Sequence, residues 1–159
     1  MAESMLDDVR VSEIMHHMVC DALTIEPDAT IDDLLKILVN GARTRHVYVV
    51  DSRKHLLGSV RLHGLIDTIF PISSAWQGGP MVFMDIWETL GAHHVSDVMD
   101  SQLRYVNENS TLGEMLSIMR EDRSNEIPVV DSEMKVVGEV NLLEVIQRYL
   151  EHRSEKNDK

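Results

Sequence analysis

The sequence predicts an α+β fold built from one β-α-β-β-α motif used twice. Three ordered internal matches carry that prediction. Val11-Ser12-Glu13-Ile14-Met15 returns as Val95-Ser96-Asp97-Val98-Met99, 84 residues on. Val49-Val50-Asp51-Ser52 returns as Val129-Val130-Asp131-Ser132, and Leu57-Gly58-Ser59-Val60 as Val137-Gly138-Glu139-Val140, both 80 residues on. Short shifts of register, absorbed in loops, reconcile the offsets.

Each copy opens with a short turn of helix, Val11 to Met15 and Val95 to Met99. A brief extended segment follows, Leu23 to Ile25 and Tyr105 to Val106. Thr30 with Asp33 three residues on, and Thr111 with Glu114, then read as capping boxes that start helices. Ile31, Leu34, Leu35 and Leu38 in one helix, and Leu112, Met115, Leu116 and Met119 in the other, fall at i, i+3, i+4 and i+7. That spacing puts one apolar stripe on each helix. Two strands come next, Val47 to Val50 and Leu56 to Val60, then Ile127 to Val130 and Val136 to Val140. Polar turns at Asp51 to Lys54 and Asp131 to Lys135 join them. A second helix closes each copy, Leu62 to Phe70 and Leu142 to Leu150.

The domain organisation follows from this order. Residues 1–70 form the first repeat with its N-terminal segment, and 95–151 form the second. Residues 71–94 are an insert, with Gly78-Gly79-Pro80 as a loop and Met81 to Leu90 as a short apolar helix. The polar residues 152–159 are a frayed tail.

Composition narrows the function. With 159 residues the chain is long enough for two small units sharing a core, and 15 Lys+Arg against 27 Asp+Glu leave a net charge of −12. Residues 1–80 carry 7 basic and 11 acidic side chains, and residues 81–159 carry 8 and 16. Neither half offers the cationic surface that a nucleic-acid backbone needs. A small anion needs only a few local cations and stays open. The single cysteine, Cys20, makes no intrachain disulfide, which fits a reducing, cytoplasmic setting. No signal peptide or membrane-spanning run is expected.

With the duplication in hand, Arg45-His46-Val47-Tyr48-Val49-Val50-Asp51, Asn125-Glu126-Ile127-Pro128-Val129-Val130-Asp131 and Gly138-Glu139-Val140 resemble a tandem pair of CBS domains, the cystathionine-β-synthase-type modules. The resemblance covers roughly residues 11–150. It implies two β-α-β-β-α units packed as a pseudo-two-fold pair, commonly a homodimer. It also implies an adenine nucleotide or adenosyl ligand held in the cleft between the repeats.

Such a ligand needs an apolar slot for adenine, a carboxylate for the ribose hydroxyls, and donors or cations for phosphate. By the resemblance, a Thr or Ser after the last strand and an Asp three residues on serve the ribose. The second repeat has Asn141 and Glu144 there, which keeps a carboxylate. The first has Arg61 and Gly64, which removes it and leaves Arg61 to serve a phosphate. The adenine positions match Leu103, Arg104 and Tyr105 with Ile127, Pro128 and Val129. In the first repeat they match Cys20, Ala22 and Tyr48, with Tyr48 where the pattern prefers Pro. Arg43, Arg45, His46 and Arg61, and Arg123 in the second repeat, are the cations expected to serve phosphate. Each position has a plainer reading as well. Asn141 and Glu144 also spell a helix cap, the apolar positions also spell core, and the cations also spell solvated loops.

Other chemistries find less support. Adjacent residues point in different directions, so neither His16-His17 nor His93-His94 is a ready metal chelate. Cys20 has no orienting partner for a nucleophile and reads as a small hydrophobe. No G-x-S-x-G, phosphate-loop or dinucleotide-binding pattern occurs, so no enzyme is expected. The expected function is a stand-alone regulatory module, with AMP, ADP, ATP or S-adenosylmethionine as the regulatory ligand. It would need no cofactor and would signal to a separate regulated protein. The alternative is a ligand-free structural or dimerisation module.

Overall fold

The computed structural model describes residues 8–13, 21–41, 45–65 and 93–157. Insert residues 71–92, together with His16, His17, Cys20 and Arg43, lie outside the described residues, as do residues 66–70 of the helix expected over Leu62 to Phe70. Among the described residues no helix is long and apolar enough to cross a membrane.

The duplication is realised strand for strand. In the first copy, strands β1 (Thr24–Ile25), β2 (His46–Val50) and β3 (Leu56–Arg61) form one sheet, with helix α1 (Ile31–Asn40) between β1 and β2. In the second, β4 (Val106–Asn107), β5 (Glu126–Val130) and β6 (Val136–Asn141) form another, with α2 (Leu112–Asp122) between β4 and β5 and α3 (Leu142–Asn157) after β6. Both sheets run parallel from first to second strand and antiparallel from second to third. Even the irregularities match, for Val50 pairs with Leu56 after a register shift as Val130 pairs with Val136.

Local chemistry explains the agreement. Thr30 Oγ1 accepts from the Asp33 N–H at 3.1 Å and Thr111 Oγ1 from the Glu114 N–H at 3.1 Å, so both expected capping boxes form. In each hairpin a turn aspartate fixes the backbone. Asp51 Oδ1 accepts from the Arg53 and His55 N–H groups, and Asp131 Oδ1 from those of Glu133 and Lys135. These side-chain turns hold Lys54 and Met134 at positive φ without glycine.

The chain divides into two compact units whose boundaries differ from those of the repeats. One unit comprises residues 1–22 and 104–159, the other residues 23–103. In the first of these units, Val11 is buried in a core with Val106, Leu112, Met115, Ile127 and Val140. In the second, Val95 is buried with Ile31, Leu34, Val47, Val49 and Val60. The opening turn grouped by sequence with the first repeat thus packs on the second. Likewise, the turn at Val95–Asp97 packs on the first. Propensity and periodicity carry no information about which copy a leader chooses, so sequence proximity alone suggested the other grouping.

Two ends depart from expectation. After β3 the described residues form a 3-10 turn, His63–Leu65, where the start of a helix is expected. Helix α3 continues seven residues beyond Leu150 to Asn157, through most of the stretch read as a frayed tail. Its later turns are rich in Glu, Arg and Lys, which are good helix formers. Gln147 Nε2 donates to Glu151 one turn on, and Ser154 Oγ to the Leu150 carbonyl.

Candidate functional site

The candidate residues separate by unit. Arg104, Tyr105, Arg123, Ile127, Pro128, Val129, Asn141 and Glu144 belong to the unit with the second repeat. Arg45, His46, Tyr48 and Arg61 belong to the other.

In the second-repeat unit, the β6–α3 junction is a tight polar constellation. Asn141 ends β6 opposite Glu126, the first residue of β5. Its Nδ2 donates to Glu126 Oε1 at 3.2 Å and its Oδ1 accepts from the Leu143 N–H at 2.9 Å. Glu144 Oε2 accepts from the Asn141 N–H at 3.1 Å. Asn141 and Glu144 therefore cap α3 from both directions, a variant of the capping box in which Asn141 takes the Leu143 N–H rather than that of Glu144. Glu144 is 7% exposed, and burial pushes its carboxyl above the usual range while the Asn141 N–H draws it down. A carboxylate so placed can accept a hydroxyl, because the cap occupies only one of its oxygens.

The apolar positions are core. Ile127 and Val129 belong to the hydrophobic cluster of the unit, and Pro128 is buried between them on the central strand. A proline there forfeits a ladder bond. In the other copy the Tyr48 N–H donates to the Leu23 carbonyl at 2.8 Å, and Pro128 has no such hydrogen. Tyr105 is partly exposed and lines a groove of about 660 Å³ with Asn107, Val130, Asp131 and Met134. Asn141 and Glu144 do not line it. Arg104 is held by Asp122 at 3.4 Å. Arg123 adopts the left-handed conformation that ends α2 and is exposed.

In the first-repeat unit, His46 and Arg61 are cross-strand partners at the positions that Glu126 and Asn141 occupy in the second. His46 is buried and stacks on Tyr48, with ring centroids 5.7 Å apart. Arg61 Nη2 lies 3.7 Å from Asp100 Oδ2. Arg45 is exposed, and its carbonyl accepts from the Leu62 N–H. Gly64 has open space around its missing Cβ, so no carboxylate stands there. Among the described residues no group of three His, Cys, Asp or Glu side chains could hold a metal ion.

Sequence reasoning missed Glu126 and Glu139, both buried carboxyl-bearing residues. The available signal was Glu139 interrupting the apolar β6, opposite Pro128 in the register. A charged residue within such a run marks either an exposed face or a paired buried one, and periodicity does not separate the two.

Comparison with known proteins places these observations. The family model described as CBS domain matches residues 11–70 and again 95–151. A CBS domain-containing protein from Thermotoga maritima superposes with a TM-score of 0.68 at 23% identity, covering 87% of this chain and 92% of that one. CBSX2, solved in complex with AMP, gives 0.68 at 22% identity over 89% and 97% of the two chains. The cytosolic domain of the Mg2+ channel MgtE, solved in complex with ATP, gives 0.59 at 21% identity over 79% and 44%. Among curated proteins, homoserine O-acetyltransferase from Methanosphaera stadtmanae is 24% identical over 144 residues, 91% of this chain. The chain spans about a quarter of the length of that relative.

Proposed function

The chain belongs to the CBS-domain family, and from that premise we propose that it is a non-enzymatic regulatory module that binds an adenine nucleotide or adenosyl ligand. The observation that carries the reading is the β6–α3 junction, where a buried Glu144 and Asn141 stand together at the end of a strand and the start of a helix. Glu144 accepts from the ribose hydroxyls, and the amino end of α3 favours the electron-rich side of the ligand. Tyr105 and Pro128 supply the apolar contact for adenine, with Ile127 and Val129 as the core behind them, and Arg104 and Arg123 the cations. In the first repeat, Arg45, His46 and Arg61 serve phosphate beside Tyr48, and Gly64 leaves the ribose without an acceptor. The AMP seen with CBSX2 and the ATP seen with MgtE support this class of ligand. No cofactor is required.

Ligand binding shifts the population of the module toward one state, which a separate regulated protein reads. The reading includes a homodimer and a cytoplasmic setting. A competing reading, a ligand-free structural module, draws on a specific observation: Asn141 and Glu144 already satisfy each other as a cap, and Ile127 and Val129 already fill the core.

A thermal-shift screen with AMP, ADP, ATP and S-adenosylmethionine separates the two. A ligand at 100 times its Kd stabilises by about 2.7 kcal/mol, or roughly 5–10 °C for a protein of this size at ~2–4 °C per kcal/mol. A shift of that size with any of the four supports the sensor. A flat response to all four selects the ligand-free module.

A further inference from the structure

The opening turns of the two repeats dock by one and the same set of bonds. In the unit with the second repeat, Arg10 bridges Thr111 in antiparallel fashion. There the Val11 N–H donates to the Ser110 carbonyl at 3.0 Å, the Ser12 N–H to Glu108 at 3.0 Å, and the Leu112 N–H to Val9 at 2.9 Å. In the other unit His94 bridges Thr30. The Val95 N–H donates to Ala29 at 2.9 Å, the Ser96 N–H to Pro27 at 2.9 Å, and the Ile31 N–H to His93 at 3.0 Å. Every residue of one set has its counterpart in the other, 84 positions on along the docked turn and 81 positions on along the receiving loop. Both central valines are 0% exposed.

The receiving loop is the same place in each copy: the link from the first strand to the capped start of the following helix. Ten residues separate Glu13 from β1 of its own repeat, and eight separate Asp97 from β4. Each turn is thus tied by the chain to the first strand of its own repeat while it closes the strand–helix link of the opposite one. We propose that each turn is a strap on the opposite repeat, so that loosening one strap loosens the repeat on which it docks before the repeat whose sequence it opens.

Hydrogen exchange on the full chain tests the straps with Val11→Ala and Val95→Ala. Each removes two buried methyl groups and leaves the backbone bonds in place. Val11→Ala is expected to speed exchange over 106–122 by about tenfold, the factor that 1.4 kcal/mol produces, with a clearly smaller change over 24–40. Val95→Ala is expected to give the mirror pattern. Should Val11→Ala fail to fold, Arg10→Ala reads the same strap more gently. It removes the 2.8 Å bond from Arg10 Nη1 to the Asn109 carbonyl, and its smaller change belongs in the same 106–122 segment. Faster exchange in the repeat to which the substituted residue belongs by sequence, equal change in both, or no change in either overturns the proposal.

Discussion

At the scale of single residues, Glu144 is where stability and the proposed ligand site meet. Burial raises its carboxyl pKa, so the folded chain keeps a proton there at pH values where the unfolded chain has lost it. Stability therefore falls as pH rises from the ordinary glutamate value through the raised one. Asp33, lowered by its bonds with Thr30, and Asp51, lowered by its bonds with His55, act in the opposite sense. Their contribution is present above the ordinary aspartate value and is lost as pH falls through the lowered ones. Glu144→Gln keeps an acceptor for the Asn141 N–H and removes the titration. Urea midpoints followed from about pH 4 to 7 are expected to decline less with rising pH in the variant than in the wild type. An equal decline would show that Glu144 does not set that slope. The cap of Asn141 and Glu144 was legible in the sequence, since the spacing alone spells it. Glu126, which Asn141 also holds, was not legible, because their pairing depends on the register of two strands.

Among the elements, the helix starts and hairpin turns were readable because their chemistry is local. Thr30 and Thr111 lie three residues before a carboxylate, and Asp51 and Asp131 hold their own turns. The ends of elements were less readable. The bonds that carry α3 past Leu150 are weak i, i+4 contacts with no sequence punctuation to announce them. Strand β3 holds a sharper demand. Ser59 exchanges both backbone bonds with Asp100, and a Cβ on neighbouring Gly58 would stand 2.5 Å from the Asp100 carbonyl oxygen. Backbone, not a flexible side chain, is what it would strike. Gly58→Ala is therefore expected to cost about 1–3 kcal/mol, as overpacking does. Gly64→Ala, with nothing within 4 Å, is expected to stay within about 0.5 kcal/mol of wild type. Denaturant titration of the pair checks both values, and equal costs would refute the steric argument.

For the molecule as a whole, the duplication fixed the α+β architecture and left the exchange of opening turns unseen. Val11 and Val95 sit at equivalent positions, so nothing in their sequence says which copy each will close. The duplication is also unequal in chemistry. One repeat has His46, Arg61 and Gly64 where the other has Glu126, Asn141 and Glu144. In the proposed reading a carboxylate for the ribose thus stands in the second repeat and is missing from the first. The central claim is that this inequality makes one nucleoside site per chain. Calorimetric titration with whichever of AMP, ADP, ATP and S-adenosylmethionine gives the largest thermal shift counts the sites directly. One ligand bound per chain is the predicted result; two per chain, or no binding by any of the four, would contradict it.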